Sequence, residues 1–126
     1  MILGIGTDIV LVSRIRQSET RFGDRFAQKI LAEIEFSQYK RVSAPTYFLA
    51  KRFAAKEAVA KALGTGMRSG VTFKSIEIQH DRVGKPKVIL WSGAAKMADS
   101  LGIKHWHISL SDEKDQALAF VVAESD

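Results

Sequence analysis

The sequence has no cysteine and only two prolines, and its apolar residues never gather into a run approaching membrane-spanning length. Without cysteine there is no disulfide framework, no thiolate metal site and no cysteine nucleophile. The absence also fits a reducing compartment, so a cytoplasmic location is expected. Low-complexity stretches and internal repeats are missing too. The first residues, Met1 to Thr7, are apolar but carry no basic leader and are followed at once by Asp8, so neither a signal peptide nor a membrane partner is expected. Nor are basic residues interleaved with an aromatic platform, which argues against a nucleic-acid partner despite a formal charge of +5.

What remains is a chain of 126 residues, 46% hydrophobic and 26% charged, the composition and size of one folded domain over residues 1–126. Its charge is uneven. Up to Leu63 there are 11 Lys and Arg against 6 Asp and Glu, whereas the remainder balances 8 against 8. A cationic first half suits docking of an acidic macromolecule or a phosphate-rich ligand, although a basic solvated surface would give the same count.

Ile2 to Thr7 alternates small and apolar residues and reads as a strand, with Asp8 near its end. Short helices are expected over Val10–Gln17, Arg21–Leu31 and Glu33–Arg41, with Phe22 and Phe26 read as core in preference to part of a docking surface. Ser43 and Pro45 then precede a long alanine-rich helix, Thr46 to Leu63, closed by Gly64. Thr72–Gln79 and Lys87–Trp91 read as a hairpin turning at Asp81 to Pro86. Ser92–Leu101 has helical composition, and His105–Ser111 and Gln116–Ala123 alternate as two more strands. Segregated helices and adjacent strands predict an α+β fold, with a largely antiparallel sheet packed against the long helix and the shorter N-terminal ones.

Two acids stand out. At 3.6 residues per turn Glu57 falls among Ala50, Phe53, Ala54 and Ala60, an otherwise small and apolar face, and a carboxylate there needs a cation, a hydrogen-bond network or a metal. Lys61, one turn on, is the ordinary helical partner. Asp8, between apolar residues after Gly4 and Gly6, reads either as a helix N-cap or, if brought to Glu57, as half of a hard-oxygen site for Mg²⁺. Gly4-x-Gly6 lacks the third glycine and the helix of a dinucleotide-binding fingerprint. His105 and His107 share a strand face without a third ligand at metal spacing and read as structural.

The segments Gly4-Ile5-Gly6-Thr7-Asp8-Ile9-Val10 and Arg52-Phe53-Ala54-Ala55-Lys56-Glu57-Ala58, with Lys61 and Gly64-Thr65-Gly66, resemble the two signatures of the acyl-carrier-protein synthase family of phosphopantetheinyl transferases. Gly84-Lys85-Pro86 and His107-Ile108-Ser109-Leu110-Ser111 resemble its hairpin and penultimate strand in the expected order. The resemblance implies the phosphopantetheinyl transferase fold and a Mg²⁺-dependent transfer of 4′-phosphopantetheine from coenzyme A to a serine of an acidic acyl carrier protein of fatty-acid biosynthesis, releasing 3′,5′-ADP. It implies Asp8 and Glu57 as metal ligands and Glu57 and Lys61 as catalytic groups. Arg52, Lys61, Gly64, Thr65 and Gly66 would contact coenzyme A, and Arg14, Arg21 and Arg25 are the candidates for carrier docking. The family is typically a homotrimer with sites at subunit interfaces, so Arg52, well round the helix from Glu57, would serve a site shared with another subunit. The chain departs from the family pattern at Asp112, where many members have His, and before the long helix, where the basic residues are reduced to Lys40 and Arg41. A nucleic-acid module, which explains the charge but not Asp8 and Glu57, and a subunit-interaction protein assembled by its apolar strands are the rival readings.

Overall fold

A computed structural model describes all residues, 1–126. The chain runs β1 (Ile2–Leu11), α1 (Val12–Phe22), α2 (Asp24–Ile30), α3 (Glu33–Tyr39), α4 (Pro45–Ala62), a single 3₁₀ turn at Phe73–Ser75, β2 (Ile76–His80), β3 (Pro86–Leu90), α5 (Ser92–Leu101), β4 (His105–Asp112) and β5 (Gln116–Glu124). The strands are all antiparallel, in a three-stranded sheet of order β1-β5-β4 and a separate β2-β3 hairpin. The α+β reading holds, with two sheets in place of one.

Helix α4 is the centre of the molecule. It packs on β1 and β5 on one side and on α1, α2, α3 and β2 on the others. Its alanines at 50, 54, 55, 58, 60 and 62 are all buried, because small side chains let several elements approach one helix at once. Gly4 and Gly6 set the closest of these approaches. A Cβ on Gly4 would fall on the Ala62 carbonyl oxygen, and one on Gly6 on that of Ala58. Strand and helix thus meet main chain to main chain, as glycine within a strand often permits. Gly6→Ala should therefore cost about 1–3 kcal/mol, the usual penalty of overpacking. A urea melt with an unchanged midpoint would show that the seam can yield.

Some boundaries differ from the sequence reading. The first two helices divide at Gly23, whose φ of 61° suits glycine, instead of between Gln17 and Arg21. Strand β1 runs on to Leu11 because β5 pairs with it as far as Gln116. Thr72 to Ser75 forms no strand. Thr72 caps the 3₁₀ turn, its hydroxyl accepting from Ser75 N–H at 3.2 Å. The outward face of the sheet leaves Ile5, Ile9, Leu11, Leu118 and Phe120 exposed, and the β1-β5 register places Ile9 opposite Leu118. No helix is long and apolar enough to cross a membrane.

Candidate active site

Alternation along β1 puts Asp8 on the same face as Gly4 and Gly6, toward α4. Asp8 lies inside the strand, opposite Ala119 of β5, and not at a strand end. It does not cap α1 either, since Leu11 occupies that position. Its side chain is 17% exposed and accepts a hydrogen bond from Lys61 Nζ at 3.2 Å; the same ammonium donates to the Thr7 carbonyl at 2.9 Å. Lys61 therefore bridges to β1 instead of closing the expected helical pair with Glu57. The Glu57 carboxylate, half-buried, is left with no hydrogen bond or ion pair within the chain.

Burial raises the pKa of Glu57, the nearby Asp8 charge raises it further, and Lys61 offsets part of the rise. The folded chain thus holds the Glu57 proton more tightly than the unfolded chain does. The associated stability is complete below the ordinary glutamate value of 4.5 and is lost as pH rises through the folded value. Glu57→Gln should then raise the Tm of the metal-free protein at neutral pH, with the gain shrinking as pH falls toward 4.5. A gain that grew on acidification would contradict this origin.

An unpartnered carboxylate pressed by a second one suits a hard divalent cation, and the two acids match the one or two protein carboxylates that Mg²⁺ usually takes. No group of three or more His, Asp or Glu side chains is placed to hold a metal, so the remaining positions would fall to water and ligand oxygens.

The fully buried charges of α4 are other residues, and sequence reasoning missed their function as a unit. Lys56 and Glu35 are 0% exposed and Arg52 is 4% exposed. Glu35 accepts from Lys56 Nζ at 2.5 Å, from the backbone N–H groups of Ile78 and Ala32 at 3.0 and 2.9 Å, and from Arg52 Nη1 at 3.4 Å. Lys56 also donates to the carbonyls of Ile30 and Phe73. One carboxylate thus ties α3 to α4 and β2. The available signal was Arg52 and Lys56, four residues apart on an alanine-rich helix, two cations on one face that require an anion.

Arg52 and Glu57 are five residues apart, about 140° round the helix axis, and they open onto different clefts. Arg52 lies in a groove of about 560 Å³ with Ser43, Tyr47, Phe48, Lys51, His80, Gly84 and Ser109 among its walls, a volume within the range of small-molecule sites. Its guanidinium stacks over Phe48 at 4.3 Å and contacts His80 Nδ1 at 3.4 Å. Asp112 sits 3.4 Å from Lys51. Lys40 turns away onto Asp24 at 2.7 Å.

Glu57 instead forms part of an apolar socket with Phe22, Phe26, Ile30, Phe53 and Phe73, with Arg25 and Lys29 at its rim. The rings of Phe53 and Phe73 stack at 5.4 Å. The expectation of a core position fails for Phe22, which is exposed at the last residue of α1 and lines this socket; Phe26 is half-buried against the core. Arg14, Arg21 and Arg25 are all exposed on α1 and α2. Arg14 borders a cleft continuing toward Phe26 and Phe53, and Arg21 covers the Phe22 ring at 5.1 Å. Gly64 and Gly66 have φ of 82° and 64°, and a Cβ on either meets nothing in the chain; their backbone conformation favours glycine irrespective of any ligand. Thr65 donates its hydroxyl proton to the Gly66 carbonyl. His105 and His107 each face a carboxylate, Asp126 at 3.3 Å and Glu124 at 2.9 Å.

Residues 4–121 match the model of the 4′-phosphopantetheinyl transferase superfamily. The chain is 48% identical over 124 residues to a holo-[acyl-carrier-protein] synthase of Escherichia coli, covering 98% of both chains. It superposes on the crystal structure of a holo-[acyl-carrier-protein] synthase from Neisseria meningitidis with a TM-score of 0.95 and 48% identity, over 99% of this chain and 100% of that one. The corresponding Bacillus anthracis enzyme, solved in complex with CoA (3′,5′-ADP), gives a TM-score of 0.83 and 40% identity over 100% and 99%. Motifs, fold and whole-length similarity agree: the chain is an enzyme of the 4′-phosphopantetheinyl transferase superfamily and belongs to its holo-[acyl-carrier-protein] synthase family.

Proposed function

We propose that residues 1–126, as one phosphopantetheinyl transferase domain, transfer 4′-phosphopantetheine from coenzyme A to a serine of an apo-acyl carrier protein of fatty-acid biosynthesis, in the cytoplasm and with Mg²⁺. The observation that carries the reading is the Asp8–Glu57 acid pair, with Lys61 beside it, at the edge of an apolar socket rimmed by Arg25.

Asp8 and Glu57 would hold the cation, which when bound neutralises charge on the pyrophosphate oxygens. The serine hydroxyl of the carrier attacks the phosphorus bearing pantetheine, and the bond to the departing 3′,5′-ADP breaks. Lys61, already poised on Asp8, stabilises the leaving phosphate. Glu57 accepts the serine proton, directly or through a water. Gly64, Thr65 and Gly66, at the C-terminal end of α4, would border the ligand.

Because Arg52 and Glu57 open onto different clefts, a single coenzyme A touching both would have to bridge two copies of the chain. The exposed apolar face of β1 and β5 favours self-association, and a homotrimer is the assembly proposed. A solution mass of three 14.0 kDa chains is expected. The test of function is a coenzyme A titration with and without Mg²⁺, followed by a transfer assay. Metal-independent binding, or binding without transfer, would reject the reading.

The acidic carrier would dock through Arg14, Arg21 and Arg25, around the socket. Arg14→Glu or Arg21→Glu should raise the KM for carrier protein about tenfold or more while leaving the Kd for coenzyme A within about twofold, and added salt should mimic the substitutions. Equal loss of both would place these arginines at the coenzyme site, and an unchanged KM would remove them from the docking face.

A further inference from the structure

His80 ends β2 at the wall of the Arg52 groove. Its Nδ1 lies 3.4 Å from Arg52 Nη2. A guanidinium only donates, so this nitrogen must be the unprotonated acceptor, and the ring is neutral with its remaining N–H on Nε2. The other amino group of Arg52 is already committed, Nη1 donating to the Ile78 carbonyl at 2.7 Å and facing Glu35. Arg52 is therefore a fixed cation, and it cannot retreat from a charged imidazole.

The charges around His80 are few. From α4 come Arg52 and Lys51, both cationic, with Lys51 partly offset by Asp112 of β4. The only acid adjoining it is Asp81, whose Oδ1 accepts from the backbone N–H groups of Val83 and Lys85, both at 2.9 Å. The cross-strand partner on β3 is Pro86, and the groove's walls from β4 and from the segment before α4 are Ile108, Ser109, Leu110, Val42, Ser43 and Ala44, none of which titrates. Burial and the two cations together hold the imidazole below its ordinary value of 6.5.

A phosphate dianion seated among Arg52, Lys51 and His80 would reverse the sign of that field and accept a charge-assisted hydrogen bond from the imidazolium. We propose that His80 is a proton-coupled phosphate contact, so that a ligand bearing a phosphate monoester binds in the Arg52 groove with uptake of a proton onto this imidazole. The inference rests on the proposed use of coenzyme A, whose only phosphate monoester is the 3′-phosphate. It adds a specificity residue whose contribution depends on pH.

The probes are 3′,5′-ADP and, lacking the monoester at the 3′ position, 5′-AMP, titrated calorimetrically into the Mg²⁺-loaded protein in buffers of different ionisation enthalpy. The affinity of the wild type for 3′,5′-ADP should rise about three- to tenfold between about pH 8 and pH 6.5 with net proton uptake, and this increment should be absent for 5′-AMP. His80→Asn, which cannot charge, should bind 3′,5′-ADP weakly with a flat profile. His80→Lys, permanently charged, should bind tightly with a flat profile. A flat wild-type profile, or one that His80→Asn reproduces, overturns the assignment of His80 while coenzyme A binding stands. Failure of every variant and of the wild type to bind either 3′,5′-ADP or coenzyme A overturns the coenzyme reading and this inference with it.

Discussion

Asp8→Ala and Glu57→Ala should each lower kcat/KM for phosphopantetheine transfer by roughly two to three orders of magnitude or more, the scale of losing a preorganised charge-stabilising group, while the chain stays folded. Neither side chain fills the core: Asp8 meets only Lys61 and Glu57 has no partner in the chain. The two losses should differ in kind. Asp8→Ala also frees Lys61 from one of its two anchors on β1, so its defect should extend to the step that uses the ammonium. Glu57→Ala removes the proposed proton acceptor and should change the pH dependence of any residual rate. Circular dichroism and a thermal melt without Mg²⁺ would verify folding, and a transfer assay would measure the loss. Normal turnover in either variant removes that residue from the proposed metal site.

Glu35→Ala should produce the largest loss of stability of any single substitution in the chain, about 3–5 kcal/mol, the cost of removing one member of a buried ionic cluster. It strands Lys56 and Arg52 as buried cations and leaves the N–H groups of Ile78 and Ala32 without their acceptor. Set against a typical stability of about 5–15 kcal/mol, this brings the folded state near its limit. Urea unfolding measures the effect directly. A loss below about 1 kcal/mol would mean that water reaches the cluster. The companion variant Glu35→Gln keeps the shape and an acceptor oxygen but not the charge, and an intermediate loss from it would separate electrostatics from packing.

The contrast between Glu35 and the Asp8–Glu57 pair shows what a sequence can disclose. Asp8 and Glu57 stand in short, distinctive segments, Gly4 to Val10 and Arg52 to Ala58, so their candidacy is legible in the order of residues alone. Glu35 occupies an undistinguished stretch, Glu33-Ile34-Glu35-Phe36, where two glutamates at the start of a helix look like ordinary favourable charges near its positive end. Only the tertiary packing of β2 against α3 and α4 identifies which one is buried. The same limit applies to Lys61. Helical spacing offers Glu57 as its partner, but the long side chain reaches across to β1, a contact that no local pattern encodes. Helix α5 and the β4 and β5 strands are legible to within about a residue because period and turn residues agree there. The split at Gly23 and the 3₁₀ turn at Phe73–Ser75 are not, because each depends on a single residue's backbone preference within a stretch whose composition points elsewhere.

The glycine seam between β1 and α4 bears on how the acid pair would meet the proposed cation. Asp8 hangs from one wall of that seam and Glu57 from the other, and between the walls there are main-chain atoms in place of side chains with rotamers to choose. The conformational freedom of the two supports is thus largely gone once the chain has folded, whereas the repulsion between the two carboxylates persists in the folded chain and would be relieved by a bound cation. Little ordering of the protein then remains to oppose binding, and preorganised sites gain affinity for this reason. Metal affinity should accordingly follow the global folding equilibrium: it persists through denaturant concentrations that loosen the socket helices and disappears with the sheet itself.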